Sequence, residues 1–262
     1  MNKKKILYIG NKLSKHGFTP TTIETLGEKL KDDFQVYQVS DKKNKIFRLI
    51  DIWFTLMFRR KPDLTIIDTY STYAFIYAFT SAFILRMKGV DYYPILHGGN
   101  IPKKINKFPF LWSTYLKKST AVICPSQYLK KAVKKKFNIS TIIIPNYIQI
   151  NNYKFIHREY QSIKILWVRS FAKIYNPSMS LDIIKNLIDR GYLDTKLCMV
   201  GPDKDGSMLN FKKKMNQLNL QKHVKITGKI SKKDWTSISE EYNFFINTTN
   251  IDNNPVSVIE AM

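Results

Sequence analysis

Two carboxylates, Asp252 and Glu260, flank Pro255 where the polar run "NTTNIDNNP" gives way to the apolar strip "VSVIEAM". That pattern predicts a strand handing over to a helix. A carboxylate there can cap the helix or accept hydrogen bonds from sugar hydroxyls. Arg169 and Lys173 follow the apolar run "ILWV". Cations directly beyond a strand can grip a diphosphate and neutralise charge that develops on it, or they can be solvated loop cations. His97 lies in "LHGGN", after Ile95 and Leu96 and before backbone without side chains. It reads either as a group that meets a substrate or as an ordinary surface or core histidine. Gly10 and Gly17 belong to the loop "GNKLSKHGFTPT". The loop matches neither the dinucleotide fingerprint nor the P-loop, so it is a backbone approach to a ligand or a plain glycine turn. Asp203 and Asp205, in "DKD", are a weak metal pair. No His/Cys cluster points to zinc, and no Ser/His/Asp or Cys/His set is visible.

The elements that must position these groups alternate between strand-like and helix-like. "KILYIG" is a strand ending in a glycine turn. In "TPTTIETLGEKL", Thr21 and Glu24 make a capping box and Ile23, Leu26 and Leu30 share one helix face. "IFRLIDIWFTLMF" places Ile46, Leu49, Ile50, Trp53 and Met57 at helical spacing. Strand "DLTIID", a helix from Tyr73 to Met87, strands "DYYPIL" and "AVICPS", the basic helix "SQYLKKAVKKKF" and strand "TIIIP" follow. The pattern pauses in polar chain from Pro145 to Ser162. It resumes with strands "IKILWV", "KLCMVG", "HVKITG" and "NFFIN", each followed by a helix. The expectation is an α/β protein with parallel sheets, divided into domains 1–150 and 151–262. With four strands and the start of a fourth helix, the second domain reads as incomplete at its C-terminus.

Charge is the outlier. The net charge is +23; residues 1–150 hold 26 Lys and Arg against 9 Asp and Glu, and the remainder 17 against 11. Such a field draws anions: nucleic acid, an anionic membrane face or phosphorylated substrates. No zinc-finger, RNP-like or helix-turn-helix signature accompanies the charge, so nucleic acid is not the expected partner. "KKINKFPFLWSTYLKK", from Lys103 to Lys118, mixes cations and aromatics as a lipid-docking segment would, unless its aromatics pack inward. The Tyr73–Met87 stretch falls short of the ~20 apolar residues of a spanning helix and reads as a core helix. Cys124 and Cys198 lie in apolar runs, which with the absence of a secretory pattern predicts reduced, buried thiols and a cytoplasmic location.

In order and spacing these elements resemble the family 4 glycosyltransferases, retaining enzymes of the GT-B fold that use nucleotide sugars. "ILWVRS" followed by Lys173 resembles the family's strand-Arg-Lys element, "CMVGPDKDG" its glycine turn and "VKITGKIS" its nucleotide-base segment. "NTTNIDNNPVSVIEAM" resembles its acid-x7-Glu motif, while "LHGG", "CPSQYLKKAV" and "IIIPNYI" match landmarks of the first domain. The resemblance implies two Rossmann-like domains facing a cleft and a sugar moved from a nucleotide-sugar donor to a glycan or lipid-linked acceptor. It implies that Glu260 holds the ribose, that Arg169 and Lys173 stabilise the diphosphate, and that Gly228, Lys229 and Ile230 line the base. It further implies that His97 sits near the donor sugar, and that Gly10, Gly17, Gly201, Asp252, Pro255 and Val256 contribute to donor binding. Neither metal nor cofactor is implied. The sequence departs from the pattern in carrying Asp252 where the motif has Glu, and in a tighter Arg169–Lys173 spacing. Family members continue beyond this helix, and the chain is expected to be truncated relative to them.

Two other functions fit parts of the sequence. A GT-B nucleotide-sugar epimerase would need more acid/base groups than one histidine supplies. A non-catalytic polyanion binder would use the charge alone.

Overall fold

In a computed structural model, residues 3–158 and 162–262 are described. Three residues of the Pro145–Ser162 segment (Glu159, Tyr160 and Gln161) and the two N-terminal residues lie outside them. The chain divides into two compact units, Met1–Pro145 and Asn146–Met262.

In the first unit, strands β1 (Lys5–Ile9), β2 (Gln35–Val39), β3 (Leu64–Tyr70), β4 (Tyr92–His97), β5 (Val122–Cys124) and β6 (Thr141–Ile143) form one sheet, all paired parallel, in the order β2-β1-β3-β4-β5-β6. The helices are α1 (Thr22–Leu30), α2 (Lys45–Phe58), α3 (Phe75–Met87), α4 (Ile101–Lys107), α5 (Pro109–Lys117) and α6 (Gln127–Phe137). On one face Leu7, Ile9, Ile67 and Leu96 pack with Ile52, Leu56, Ala82, Leu85 and Trp112. On the other, Tyr8 and Ile95 pack with Ile23 of α1. Strand residues alternate between the two layers, so both faces of the sheet must be apolar. Helix α6 shows how locally this is written. Ser126 caps its start, accepting from Leu129 N, while Leu129, Val133 and Phe137 form the buried stripe. Asn138, in the left-handed region at φ 54°, ends the helix. The capping box at Thr21 and Glu24 is present, with Thr21 N donating to Glu24 Oε2 at 3.1 Å.

The second unit has β7 (Lys164–Val168), β8 (Lys196–Val200), β9 (Val224–Gly228) and β10 (Phe244–Phe245), parallel in the order β10-β7-β8-β9. Helices α7 (Ser178–Asp189), α8 (Ser207–Gln217), α9 (Lys232–Ser239) and α10 (Val256–Ala261) follow the strands in turn. Ile165 and Trp167 face Leu181, Ile184 and Phe211, whereas Leu166 faces Trp235.

Two readings of the sequence are corrected, for α2 and α3, and the Lys103–Lys118 segment divides between its two alternatives. Of the helical stripe in α2, Ile46, Ile50, Trp53 and Met57 are exposed; the residues it buries are Arg48, Ile52 and Leu56. The helix is apolar on two sides, and periodicity alone cannot tell which side meets the sheet. The Tyr73–Met87 helix buries only Ala78, Ser81, Ala82 and Leu85 completely, leaving Ile76, Phe83 and Met87 exposed. In the Lys103–Lys118 segment, Trp112, Tyr115 and Leu116 pack inward while Phe108, Phe110 and Leu111 stay outside. Strand β2 is an element that the helical and strand patterns of the sequence did not announce. Both cysteines are free and buried. No helix is long and apolar enough to cross a membrane among the described residues.

Candidate functional site

In open parallel sheets ligands bind outside the carboxyl ends of the strands, where the strand order reverses. In the second unit that point lies between β7 and β10. Arg169 leaves β7 there, its N–H donating to Val200 O at 3.0 Å, and Gly201 N in turn donates to Gly228 O at 2.9 Å. These two rungs lace the exits of β7, β8 and β9 together. Gly201 has φ 145°, and a Cβ on it would fall 1.8 Å from Arg169 O. Glycine is therefore required for the two exits to approach as closely as they do.

The loop after β10 comes to Arg169 through side chains of the neighbouring turn. Trp167 Nε1 donates to Thr248 Oγ1 at 2.9 Å, and Thr248 Oγ1 donates to Tyr175 O at 2.9 Å. Asn250 N donates to Ile174 O at 3.0 Å. So pinned, the loop presents Asp252, which forms an ion pair with Arg169 across the switch point. The guanidinium also lies 4.6 Å from the centre of the Tyr175 ring, a cation–π distance. Burial holds its pKa below the ordinary arginine value, with Tyr175 pulling the other way. Its Nε is buried without a hydrogen-bond partner among the described residues.

Glu260, on α10, is held differently. Tyr153 Oη donates to Glu260 Oε1 at 2.7 Å and Lys232 Nζ lies 2.5 Å from the same oxygen. Lys232 opens α9, just beyond Gly228, so Glu260 also belongs to this edge of the sheet. The Glu260 side chain is only 7% exposed. Lys173 stands in a short turn, Lys173–Tyr175, whose first N–H donates to Asp205 Oδ2 at 2.9 Å; its side chain is exposed. Asp205 also accepts from the Ser207 hydroxyl and N–H, and Asp203 from Gly206 N at 3.0 Å. Both "DKD" carboxylates thus cap the start of α8. Gly228 takes φ 71°. Lys229 is exposed, Pro255 and Val256 are half-buried, and Ile230 packs beside Trp235. No group of three or more His, Cys, Asp or Glu suited to a metal occurs among the described residues.

The first unit has its own switch point, between β1 and β3. Gly10 leaves β1 there, and a Cβ on it would lie 2.7 Å from Asp68 Oδ2. Asp68, near the end of β3, is the functional candidate that sequence reasoning missed. It accepts from Tyr8 Oη at 3.0 Å and lies 2.8 Å from His97 Nε2 at the end of β4. Its Oδ2 is buried with no partner among the described residues. His97 stacks on Tyr70, ring centres 5.0 Å apart, and burial first, then the charge of Asp68, pushes the Tyr70 phenol well above its usual pKa. Gly17, at φ 81°, closes a short turn over Ser14–His16. The missed signal was a carboxylate inside the apolar strand "LTIIDTY". Tyr153 and Lys232, the partners of Glu260, carried no signal, since one lies in irregular chain and the other among many lysines.

These two units define the GT-B fold. Three solved structures show it. HepE from Anabaena, in complex with UDP and glucose, superposes with a TM-score of 0.63 at 15% identity, over 94% of this chain and 74% of that one. Sucrose-phosphate synthase from Thermosynechococcus elongatus gives 0.73 at 11% identity, over 99% and 79%. A TarM variant from S. aureus, with UDP, fondaparinux and α-GlcNAc-glycerol, gives 0.64 at 15%, over 82% of this chain and 43% of TarM. No protein-family model and no curated protein sequence matches the chain.

Proposed function

We propose that this chain is a retaining glycosyltransferase of the family 4 type, moving a hexosyl group from a nucleotide-sugar donor to a glycan or lipid-linked acceptor in surface polysaccharide synthesis. One observation carries the reading: Arg169 and Asp252 face each other across the switch point of the second sheet, with Glu260 on the same edge. Arg169 meets the diphosphate, spending its free buried Nε on a phosphate oxygen, and Lys173 adds charge from the adjacent turn. Cations placed where the leaving group becomes charged do the work a metal does elsewhere. Glu260 accepts from the ribose hydroxyls. Gly201 lets the exits of β7 and β8 close together beside Arg169, Gly228 leaves open space where a Cβ would stand, and the segment Gly228–Ile230 lies against the base. In the first unit His97, oriented by Asp68, meets the donor sugar, and the loop with Gly10 and Gly17 meets phosphate and acceptor. The likeness to HepE, solved with UDP, supports a uridine nucleotide as the first donor to try. The enzyme works in the cytoplasm, at the inner face of an anionic membrane.

Thermal shift with UDP, UDP-glucose and other nucleotide sugars tests this. Stabilisation by at least one donor, lost in Arg169→Ala and Glu260→Ala, is expected, because a ligand raises stability in proportion to its affinity for the native state. Indifference to all donors, or equal stabilisation of both variants, refutes it. Conversion of free nucleotide sugar without acceptor would favour an epimerase instead.

A further inference from the structure

Helix α2 turns an entire apolar side away from its own core. Ile46, Phe47, Ile50, Phe54, Met57 and Phe58 are all more than half exposed, Ile46 at 68% and Phe58 at 71%, with Trp53 beside them at 38%. Their spacing puts them on one helix face. The neighbouring helix α3 continues the surface with Ile76, Phe83 and Met87. The two helices are tied together across it: Trp53 Nε1 donates to Thr80 Oγ1 at 3.0 Å, and Lys88 Nζ donates to Leu56 O and Met57 O at 2.6 and 2.7 Å. An apolar patch of this extent on a soluble unit marks an interaction surface.

Charge says what covers it. Lys42, Lys43 and Lys45 stand at the start of α2, and Arg59, Arg60 and Lys61 at its end. Beyond that end lies a cavity of about 290 Å³ lined by Lys5, Tyr37, Arg59, Arg60, Lys61 and Lys88. It opens at the amino edge of the sheet, the end opposite Gly10, Asp68 and His97, so it is no part of the site described above. Arg59 lies 3.6 Å from the centre of the Tyr37 ring, which holds one cation in place there.

We propose that the α2–α3 face rests on an anionic phospholipid bilayer, its apolar side chains in the acyl boundary and a headgroup phosphate in the basic cavity. A helix with aromatics on one face and cations at both ends lies in the interface plane, and long Lys and Arg side chains reach the phosphates while their stems stay apolar. At 14 residues α2 is too short to span the hydrocarbon. A second copy of the chain is a poor occupant, because both ends of the helix are basic and a two-fold pairing brings cation onto cation whether the helices run parallel or antiparallel. This gives the membrane contact of the proposed function a location on α2 and α3, a broader apolar face than that of Lys103–Lys118, where Trp112 and Tyr115 pack inward and Phe108, Phe110 and Leu111 are exposed. It stands on this face alone, so lipid binding and donor binding fail separately.

The experiment is flotation of the full chain with vesicles of phosphatidylcholine, with and without phosphatidylglycerol, alongside light scattering and UDP thermal shift. The chain should float with the anionic vesicles and far less with the neutral ones. The pair Ile50→Glu and Phe54→Glu, both exposed, should weaken flotation at least about tenfold with the melting temperature and the UDP response unchanged. Arg60→Glu with Lys61→Glu should weaken it as well. Absence of flotation, flotation indifferent to the apolar pair, or a dimer that the apolar pair dissolves would each overturn the proposal.

Discussion

His97 Nε2 lies 2.8 Å from Asp68 Oδ1, and the Asp68 side chain has no exposed surface. A carboxylate only accepts, so Nε2 is the imidazole nitrogen that carries the proton of this bond. The stacked Tyr70 ring fixes the plane of the imidazole. Asp68 thereby sets both the tautomer and the orientation of the histidine that ends β4. Asp68→Ala strands the Tyr8 hydroxyl and the imidazole N–H, and should cost about 1–3 kcal/mol. Urea unfolding measures the loss, and long-range nitrogen–proton spectra of His97 should show the Nε2–H form in the wild type and a mixture in the variant.

Gly201 carries a second, sharper prediction. A methyl group at this position collides with Arg169 O, and φ 145° is outside the range that side chains accept. Backbone must move, since the obstruction is not the end of a flexible side chain. Gly201→Ala should cost upwards of about 2 kcal/mol and reduce donor binding, because the shift displaces Arg169 itself. Gly206→Ala is the control: it is also left-handed, at φ 81°, but has nothing within 4 Å of the added carbon. It should suffer only the backbone strain. Comparable melting temperatures for the two variants would contradict this account.

The Asp205 carboxyl is held below its usual pKa of 3.8, first by the Ser207 hydroxyl and then by the Lys173 N–H. A depressed carboxylate contributes stability that is complete above its unfolded pKa and is lost as pH falls through the folded one. The wild type should therefore lose stability below about pH 3.8 in part through this group. Asp205→Asn should show a shallower acid limb in melting temperature against pH, together with a looser Lys173 turn.

Much of this was legible in the sequence, and the exceptions share a cause. The β-α alternation follows from period-two and period-3.6 apolar patterns, which any parallel sheet with two covered faces must show. Arg169 stood out because strand exits are where a cation carries local meaning, whereas Gly201 and Gly228 entered only through the resemblance to a known family. Asp68 escaped notice because its role is set by Tyr8 and His97, on two other strands. The exposed side of α2 was hidden for a related reason: residues 46–58 are apolar nearly all round, and only tertiary contacts show that Ile52 and Leu56 are the inward pair. Local pattern encodes elements; partnerships between distant strands have no local trace.

The two carboxylates on either side of Pro255 have different partners and should answer differently to substitution. Asp252 is paired with Arg169, and Glu260 with Lys232 and Tyr153. For Lys232, burial lowers the pKa, but the hydrogen bonds it donates to Glu260 and Tyr153 outweigh it, so the ammonium titrates above the ordinary 10.5. A raised lysine stabilises the fold fully below its unfolded pKa and loses that contribution as pH rises through the folded one. Lys232→Met should therefore be less stable than wild type at neutral pH and converge on it above pH 10.5. The pairing also fixes the Glu260 rotamer before any ligand arrives, so the hydrogen bond to a ribose hydroxyl that the proposed function gives it would cost little ordering. Glu260→Gln keeps the shape but gives up a charge-assisted bond, and should weaken UDP binding by about tenfold. Asp252→Asn leaves Arg169 with a neutral neighbour beside an arriving diphosphate. It should therefore leave UDP affinity unchanged or raise it while lowering the melting temperature. Calorimetric titration of both variants checks the contrast, and a matched loss of UDP affinity would mean that Asp252 touches the donor too.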